Sequence, residues 1–369
     1  SFLGIDSAIC KAFIAPVSFF RFSCYNETQN VWALQNMSAV LRHNSIETGN
    51  GGVINECKRR RRAAFMRSEK EMMDTIIEVA EKDARIRGVY MNGSRTNPNA
   101  PRDVFQDYDI VYVVGETASF IGEEGWIDVF GKRLYMQQPD KMDAMRGMET
   151  DRDRHYTYLM QLADGNRIDL TVMTQEYAVG NIKEDRLCKV LLDKDGLLSE
   201  VPAPSDESHW VKKPSAAEFI CCCNEFWWMQ NSVGKGLWRQ EMTYAMDMMN
   251  LYIRPQLMKM LSWYAGMKTD FSCSVGKAGK YLNRYLSKEE YAKLLGTYSG
   301  SDRECAWEAV FVMCSLFDET ARKVADGLGY AYDREEAEGS RLFLECTCGL
   351  AEDASDIWPE KEISKHAAD

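Results

Sequence analysis

Hydrophobic and polar residues first form a regular pattern at residue 68, where a helical period begins. The apolar positions of this segment recur at helical spacing and are Met72, Met73, Ile76, Ile77, Val79 and Ala80. Ser68 and Glu71 precede them with the spacing of a capping box, so the pattern predicts a helix that ends near Asp83. The apolar runs that follow, at 86–91, 109–114 and 133–137, predict strands.

Two runs of alternating residues, 156–162 and 167–173, are separated by a turn that contains Asp164 and Gly165. An Asp-Gly pair supplies the positive backbone φ angles of a tight turn, so this pattern predicts a β-hairpin. Together with the preceding elements, the hairpin predicts a mixed sheet with flanking helices, which we assign to a first domain at 66–213.

The pattern then becomes helical, beginning at Ser215. Ser215 and Glu218 form a second capping box, and apolar residues follow at helical spacing until Gly234 and Gly236, which predict an interruption. Further helices are predicted at 239–252, 255–265, 288–296 and 303–327. We therefore expect an α+β fold in which the mixed-sheet domain is followed by an all-α helical bundle at 214–330.

The two ends of the chain differ from these domains. Residues 1–65 show little sustained periodicity and contain a glycine-rich stretch at 49–52 and a basic run at 58–62. Such a composition is typical of a disordered or non-native extension, and we interpret it as translated upstream sequence, with a basic targeting arm as the alternative. Residues 331–369 are rich in acidic side chains and are expected to form a peripheral tail.

The net charge of −11 argues against a general nucleic-acid-binding protein, because phosphate backbones require a basic surface. An acidic surface suits a small cationic substrate such as an amino- or guanidino-substituted sugar, although most acidic proteins bind no such ligand. No apolar run reaches the about 18 residues of a membrane span. Twelve cysteines without the spacing of a disulfide framework favour reduced thiols. We therefore expect a cytoplasmic protein without nucleic-acid or membrane partners.

The most specific chemical signal is a Gly93-Ser94 pair that is followed, thirteen residues after Ser94, by Asp107 and Asp109. Side chains two apart on a strand point to the same face, so these two carboxylates lie close together and repel each other. A divalent cation between them would remove the repulsion, because Mg²⁺ is commonly bound by carboxylates together with substrate phosphates. The glycine allows backbone amides to approach a phosphate. This pattern predicts a metal site beside a phosphate site.

Asp169 is the acidic residue on the second strand of the predicted hairpin. Alternation places its side chain on the face opposite Ile168, Leu170 and Val172. From the pattern alone, an exposed strand aspartate is the simpler interpretation, because strands with one buried face carry polar residues on the other.

An apolar strand that ends in Gly-Ser and is followed by Asp-x-Asp in another strand resembles the polymerase-beta-like nucleotidyltransferase superfamily. The wider sequence, from Met66 to about Gly329, resembles the aminoglycoside (streptomycin) 6-adenylyltransferases. The segments that carry this resemblance, all in one order, are 66–69, 93–97, 105–109, 130–133, 189–195 and 222–227. The resemblance implies an enzyme that transfers AMP from ATP to the 6-hydroxyl of streptomycin, releases pyrophosphate and confers antibiotic resistance. Its first domain would be the nucleotidyltransferase domain.

The superfamily completes its metal site with a third acidic residue on a neighbouring strand, and Asp169 is the matching position. The resemblance thus implies that Asp107 and Asp109 bind two Mg²⁺ ions, and that Asp169 binds the one that would coordinate the acceptor hydroxyl.

The resemblance also implies the residues that contact the nucleotide and the acceptor. Ser94 and the amides of Gly93 and Ser94 would hold the terminal phosphates, and Arg95 would either assist or lie exposed in the loop. In related antibiotic nucleotidyltransferases a carboxylate near the helical domain accepts the proton of the sugar hydroxyl, and a helical lysine meets a phosphate. Glu225 and Lys235 are the candidates, although Glu225 is equally well explained as a polar position on an amphipathic helix.

Four tryptophans of the helical segment would either line the antibiotic pocket or pack in the core, namely Trp227, Trp228, Trp238 and Trp263. Alternative functions keep the fold but change the acceptor to another aminoglycoside, a lincosamide or a protein hydroxyl. A non-catalytic nucleotide-binding partner protein is the alternative from another class. The aspartates disfavour it, because a protein without turnover has no need to keep repelling carboxylates together. The sequence does not indicate the oligomeric state or whether ATP is preferred to GTP.

Overall fold

The computed structural model describes residues 65–198 and 201–358. The chain falls into two units, which divide between Pro204 and Ser205. Except for Phe65, the predicted extension at 1–65 lies outside the described residues. Within the described ranges, no helix is both long enough and apolar enough to cross a membrane.

The first unit is built around a six-stranded sheet. Its strands, in chain order, are β1 (Ile86–Asn92), β2 (Tyr108–Val114), β3 (Arg133–Gln137), β4 (His155–Leu162), β5 (Arg167–Thr174) and β6 (Cys188–Asp193). The order across the sheet is β3-β4-β5-β2-β1-β6; β2 and β5 run parallel, and the other neighbours are antiparallel. The mixed sheet predicted from the alternating pattern is confirmed, and β6 is a strand that the pattern did not predict.

Between residues 65 and 198, the α-helices that accompany this sheet are α1 (Glu69–Lys82), α2 (Ala118–Gly122), α3 (Pro139–Met145) and α4 (Gln175–Glu184). The predicted capping box opens α1: the Ser68 hydroxyl accepts from the Glu71 amide at 3.3 Å, and the Glu71 carboxylate accepts from the Ser68 amide at 2.7 Å. These bonds satisfy two of the backbone donors that a helix start leaves without intrahelical partners. The helix therefore begins where the sequence predicted.

The sheet carries a hydrophobic core on each side. Alternate residues of β2 divide between the two cores, as the two-residue period of a strand requires. Ile110 and Tyr112 pack in one cluster with Ile76 of α1, whereas Val111 packs in the other cluster with Ile182 of α4. Strand β2 is thus buried on both sides along most of its length, which fixes its position in the unit.

Arg67 ties the start of α1 to two distant turns. Its Nε donates to Asp164 in the hairpin turn at 2.7 Å, and its Nη2 donates to the Phe130 carbonyl at 2.7 Å. Gly131 has a φ of +111°, and a Cβ there would come within 3.3 Å of the Arg67 guanidinium. Arg67 therefore connects the segment 66–69 to the segment 130–133.

Lys194 closes the other end of α1. Its ammonium group donates to the carbonyls of Ala80 at 2.6 Å and Asp83 at 3.2 Å. A cation that binds the free carbonyls at a helix C-terminus also opposes the negative end of the helix dipole. The preceding residue, Asp193, accepts backbone hydrogen bonds from Leu197 and Leu198 at 3.1 and 2.6 Å. The segment 189–195 thus fastens β6 and its following turn to the unit.

The second unit is helical, as predicted. Its α-helices are α5 (Ala216–Trp238), α6 (Met242–Asp247), α7 (Arg254–Lys268), α8 (Lys288–Gly296), α9 (Arg303–Leu328) and α10 (Arg334–Gly349). A π-helical segment, Met248–Ile253, connects α6 to α7, and Pro255 lies in the first turn of α7, where it cannot donate a backbone hydrogen bond to the π-helical segment before it. One hydrophobic cluster joins the helices. The α+β fold is therefore confirmed.

The expected interruption of α5 at Gly234 and Gly236 is wrong, because the helix continues to Trp238. The two glycines instead permit close packing. A Cβ on Gly236 would lie 2.9 Å from the Tyr244 ring, and one on Gly234 would lie 3.1 Å from Leu344. Their small size is used for contact between helices rather than for a break.

Helix α10 lies within the segment that we expected to be a peripheral acidic tail. Its residues Ala337 and Leu344 are buried, at 1% and 0% exposure, in the same cluster as the apolar side of α5. The acidic composition of this stretch therefore reflects the exposed side of an amphipathic helix, and 334–349 is part of the packed unit.

Candidate active site

Asp109 and Asp169 lie side by side on the two parallel strands of the sheet. In the register of β2 and β5, Asp109 is the partner of Asp169, as Val111 is of Thr171. Both aspartates lie on the α4 side of the sheet, because residues two apart on a strand share a face and Val111 packs in the α4 cluster. Asp107 immediately precedes β2, and all three aspartates are half-buried. The fold thus brings the three predicted metal ligands to one end of the sheet.

A guanidinium group lies across two of these carboxylates. Arg167 donates from Nε and Nη2 to the two oxygens of Asp169 at 2.8 and 2.7 Å, and its Nη1 lies 3.6 Å from Asp107 Oδ2. Arg167 is a residue of the site that the sequence analysis missed. The alternation of side chains along the strand, which put Asp169 on the face opposite Ile168 and Leu170, also places Arg167 on that face. This alternation was the sequence signal by which Arg167 could have been found.

The electrostatics of the site centre on Asp109. Burial, followed by the negative charges of Asp169 and Asp107, raises the pKa of Asp109 to about 7, although Arg167 opposes the shift. The hydrogen bonds that Arg167 donates to Asp169 raise the pKa of the Arg167 guanidinium above its ordinary value. The folded chain therefore disfavours ionised Asp109, and a cation placed beside it would favour the ionised form.

The turn after β1, Gly93–Arg95, packs directly against Asp109. Gly93 has a φ of +74°, and a Cβ there would lie 2.1 Å from Asp109 Oδ2. The Gly93 amide donates to the Leu187 carbonyl at 3.2 Å, so this amide is engaged within the protein. The Ser94 carbonyl accepts from Gln106 Nε2 at 3.2 Å, and the Ser94 hydroxyl makes no hydrogen bond to another described residue. Ser94 is thus the member of the pair with a polar group to offer a ligand.

Arg95 is buried, so the alternative of an exposed loop arginine is wrong. Its Nε and Nη2 donate to the carbonyls of Asp107 and Gln106 at 3.0 and 2.9 Å, and its Nη1 lies 3.1 Å from Glu69. The guanidinium carbon also lies 3.8 Å from the centre of the Tyr108 ring. Arg95 therefore joins the turn after β1 to the residues that lead into β2. A contact between Arg95 and a phosphate stays a prediction.

The chemistry of the donors suits a hard divalent cation such as Mg²⁺, because three carboxylates and a hydroxyl supply oxygen ligands. Within 65–198 and 201–358, no group of three or more His, Cys, Asp or Glu side chains is arranged to hold a metal ion. In this arrangement Arg167 binds Asp169 and approaches Asp107. A metal ion bound by Asp169 would therefore compete with the guanidinium for the same oxygens.

The other two predicted site residues belong to the second unit. Glu225 and Lys235 are both exposed on α5, and Lys235 lies in its last turn. Their roles stay predictions. Glu218, by contrast, accepts a hydrogen bond from the Ser215 amide at 2.8 Å in the capping box that opens α5, which accounts for it without catalysis.

The four tryptophans fall into different environments. Trp227 and Trp263 are core residues with 1% and 7% exposure, and the Trp238 indole donates to the Leu350 carbonyl at 3.3 Å. Trp228 has 67% of its surface exposed. Core packing therefore explains Trp227 and Trp263, and Trp228 is left available to a ligand.

We expect Gly93→Ala to lower the free energy of unfolding by about 1–3 kcal/mol, because the new methyl group meets the Asp109 carboxylate and the left-handed backbone disfavours a side chain. Gly115→Ala is the matched control, since Gly115 directly follows β2 and a Cβ there meets nothing within 4 Å. Denaturant unfolding of both variants checks the expectation. Equal unfolding free energies for the two variants would contradict it.

Asp109→Asn should make the folded protein more stable at neutral pH in the presence of EDTA. The pKa of Asp109 is raised from 3.8 to about 7, so between these pH values the folded chain holds a proton that the unfolded chain has lost. The free energy of unfolding of the wild type therefore falls as pH rises through this window, whereas the asparagine variant lacks this loss. The difference in Tm between variant and wild type should grow from pH 4 to pH 7.

The exposed Asp153 provides the control for this measurement. Asp153→Asn should change Tm by a similar amount at both ends of the pH range. A constant difference for Asp109→Asn as well would show that the environment of Asp109 does not disfavour its charge.

Known proteins are similar to this chain over most of its described length. A family model described as streptomycin adenylyltransferase matches residues 66–346. An aminoglycoside 6-adenylyltransferase of Bacillus subtilis is 41% identical over 271 residues, which cover 72% of this chain and 93% of that protein. Proteins of the same name from Campylobacter jejuni and Staphylococcus aureus are 39% and 36% identical, covering 72% and 73% of this chain and 91% and 95% of theirs.

Among solved structures, the crystal structure of an aminoglycoside 6-adenyltransferase from Bacillus subtilis matches with a TM-score of 0.39 and 35% identity, covering 77% of this chain and 100% of that chain. The family model extends through both units of the fold, and the three relatives are similar over more than nine-tenths of their length. The chain therefore belongs to the streptomycin adenylyltransferase family of nucleotidyltransferase enzymes.

Proposed function

We propose that this enzyme transfers AMP from ATP to the 6-hydroxyl group of streptomycin and thereby inactivates the antibiotic. The observation that carries the proposal is the pairing of Asp109 with Asp169 beside the Gly93 turn, since neighbouring carboxylates supply the oxygen ligands that Mg²⁺ takes together with substrate phosphates. The names of the three relatives support an aminoglycoside acceptor and the 6-position. The two substrates are then ATP and a small cationic sugar.

In the proposed reaction the acceptor oxygen attacks the α-phosphorus of ATP. A new oxygen–phosphorus bond forms while the bond from the α-phosphorus to its bridging oxygen breaks, and pyrophosphate leaves with that oxygen. We assign Asp107, Asp109 and Asp169 to the binding of two Mg²⁺ ions. When bound, Mg²⁺ neutralises the charge of the triphosphate and of the departing pyrophosphate. The chain itself contributes by holding Asp109 on β2, Asp169 on β5 and Asp107 directly before β2 at fixed positions.

The turn after β1 is the proposed phosphate-binding element. Gly93 brings the backbone against Asp109, and Ser94 offers its hydroxyl to the terminal phosphates. Arg95 acts on this element through its bonds to the carbonyls of Gln106 and Asp107, which keep the phosphate turn and the metal ligands together. In the second unit, Lys235 is assigned to a phosphate of the nucleotide, because its exposed ammonium group is free to meet an anion.

Glu225 is assigned as the general base that accepts the proton of the acceptor hydroxyl. Glu225→Gln should lower kcat by about 10²–10⁴-fold, because the amide keeps the size of the side chain but cannot accept the proton. Glu308→Gln, which removes an exposed glutamate from another helix of the same unit, is the control and should leave kcat unchanged. A loss of less than about tenfold in Glu225→Gln would remove Glu225 from this role.

The direct test of the function is pyrophosphate release from ATP and Mg²⁺ in the presence of streptomycin. We expect turnover that depends on streptomycin, and a product that carries AMP on the 6-oxygen, as identified by mass spectrometry and NMR. Asp109→Asn should lower kcat by about 100-fold or more while the protein stays folded, which separates the chemical role of the carboxylate from its effect on stability.

A substrate panel completes this test. Pyrophosphate release with another aminoglycoside or a lincosamide, but not with streptomycin, would refute the proposed acceptor. Release with no acceptor in the panel would refute the enzymatic assignment to antibiotics, and near wild-type turnover by Asp109→Asn would refute the metal-site assignment.

A further inference from the structure

A groove runs between α5 and α10 in the second unit, and the residues that line it have no role in the proposed reaction. Its cavity volume is about 230 Å³, and its lining includes Trp228 and Asn231 from α5 together with Glu336, Gly339 and Phe343 from α10. The groove therefore combines aromatic walls with a carboxylate, which is the combination that favours an organic cation.

Direct hydrogen bonds hold the two helices on either side of the groove. The Ser340 hydroxyl donates to the Trp227 carbonyl at 2.8 Å, and the Asn224 amide donates to one oxygen of Glu336. The Trp227 ring itself is buried and donates to the Tyr332 hydroxyl at 3.2 Å. The walls of the groove are thus anchored in the core of the unit, so its shape exists before a ligand binds.

Trp228 is the aromatic group that this groove offers to a ligand. It has 67% of its surface exposed, whereas the adjacent Trp227 has 1%. Opposite it, Gly339 leaves the groove open, because a Cβ at this position would meet nothing within 4 Å. Single exposed hydrophobic residues are common, but an exposed indole that borders a cavity is a candidate contact surface.

The charge around Trp228 favours a cation. Glu336 lines the groove, and the exposed Glu225 lies three residues before Trp228 on the same helix. A guanidinium group is planar and weakly hydrated, so it can stack on an indole face while its N–H groups donate to a carboxylate. The guanidino-substituted ring of the proposed acceptor has this chemistry.

We propose that the groove between α5 and α10 binds a guanidinium-bearing ring of the acceptor, with the ring group stacked on Trp228 and hydrogen-bonded to Glu336. This inference rests on the proposed function and names the substrate subsite. The cavity of about 230 Å³ is smaller than the roughly 300–1,000 Å³ of pockets for whole drug-sized ligands, so the groove accepts one ring and leaves the rest of the molecule outside.

The subsite also connects to the assigned base. Glu225 does not line the groove, but residues three apart on a helix are surface neighbours with their Cβ atoms about 5–6 Å apart, so Glu225 is next to Trp228 and within reach of the part of the acceptor that extends beyond the groove. Binding in the groove would then present a hydroxyl of the acceptor to the carboxylate that removes its proton. Trp228 and Glu336 are therefore specificity residues, and they act before the chemical step.

Isothermal titration of the full chain with streptomycin, without ATP, tests the subsite. Trp228→Leu should raise the Kd for streptomycin about tenfold, within the range of a desolvated cation–aromatic contact, and Trp228→Phe should recover most of the affinity. Gly339→Leu fills the groove from a position that tolerates a side chain, so it should weaken binding while Tm stays at or above that of the wild type. Glu336→Gln should also raise this Kd.

Trp358→Leu is the matched control, because Trp358 is also exposed in this unit but does not line the groove. It should bind streptomycin as the wild type does, and the Kd for ATP should be the same in all variants. Wild-type affinity for streptomycin in both Trp228→Leu and Gly339→Leu would overturn the subsite even if the enzyme modifies streptomycin. Groove-dependent binding without pyrophosphate release would instead support the subsite and refute the proposed reaction.

Discussion

The hydrogen-bond ladder between β2 and β5 forces two carboxylates together, and the rest of the candidate site depends on this constraint. Because the strands are parallel and in register, Asp109 has Asp169 as its neighbour. A slip of one residue would turn Asp169 to the other face, where Ile168 and Leu170 now pack in the core. The two hydrophobic clusters on opposite faces of the sheet therefore hold like charges close together, and burial of Asp109, followed by these charges, raises its pKa.

Elements with local signals could be predicted from the sequence, because their causes lie within a few residues. The capping boxes at Ser68 and Ser215 mark the starts of α1 and α5, and the Asp-Gly turn marks the hairpin of β4 and β5. The position of β5 beside β2 has no local cause, since it joins segments about sixty residues apart. For the same reason β6 was missed: it pairs with β1 at the edge of the sheet, and its partner lies far away in the chain. The residues of the site could thus be selected from alternation and resemblance, whereas their proximity required the tertiary fold.

Single residues are harder to interpret from the sequence than helices and strands, as Arg95, Gly234 and Arg167 show. An arginine in a loop is usually exposed, but Arg95 finds two carbonyls, a carboxylate and an aromatic face within one fold, which compensate for its burial. A glycine in a helix usually weakens the helix, but the absence of a side chain at Gly234 allows α10 to pack closely against α5. Arg167 lies on the same face of β5 as Asp169, yet its contacts with the carboxylates of Asp169 and Asp107 become evident only from the distances in the fold.

The division of the chain into two units also divides the proposed chemistry. In the proposed reaction, the first unit supplies the carboxylates and the Gly93 turn, which would contact features common to every nucleoside triphosphate bound with Mg²⁺. In the same proposal, the second unit supplies Glu225 and the groove beside Trp228, which would contact the acceptor. Changes in the groove can therefore alter which sugar is accepted without disturbing the charged pair on β2 and β5, whose register is maintained by a separate core. A fold organised in this way can retain its transfer chemistry while the surface that selects the acceptor varies, because the sheet and the groove are each supported by their own hydrophobic cluster.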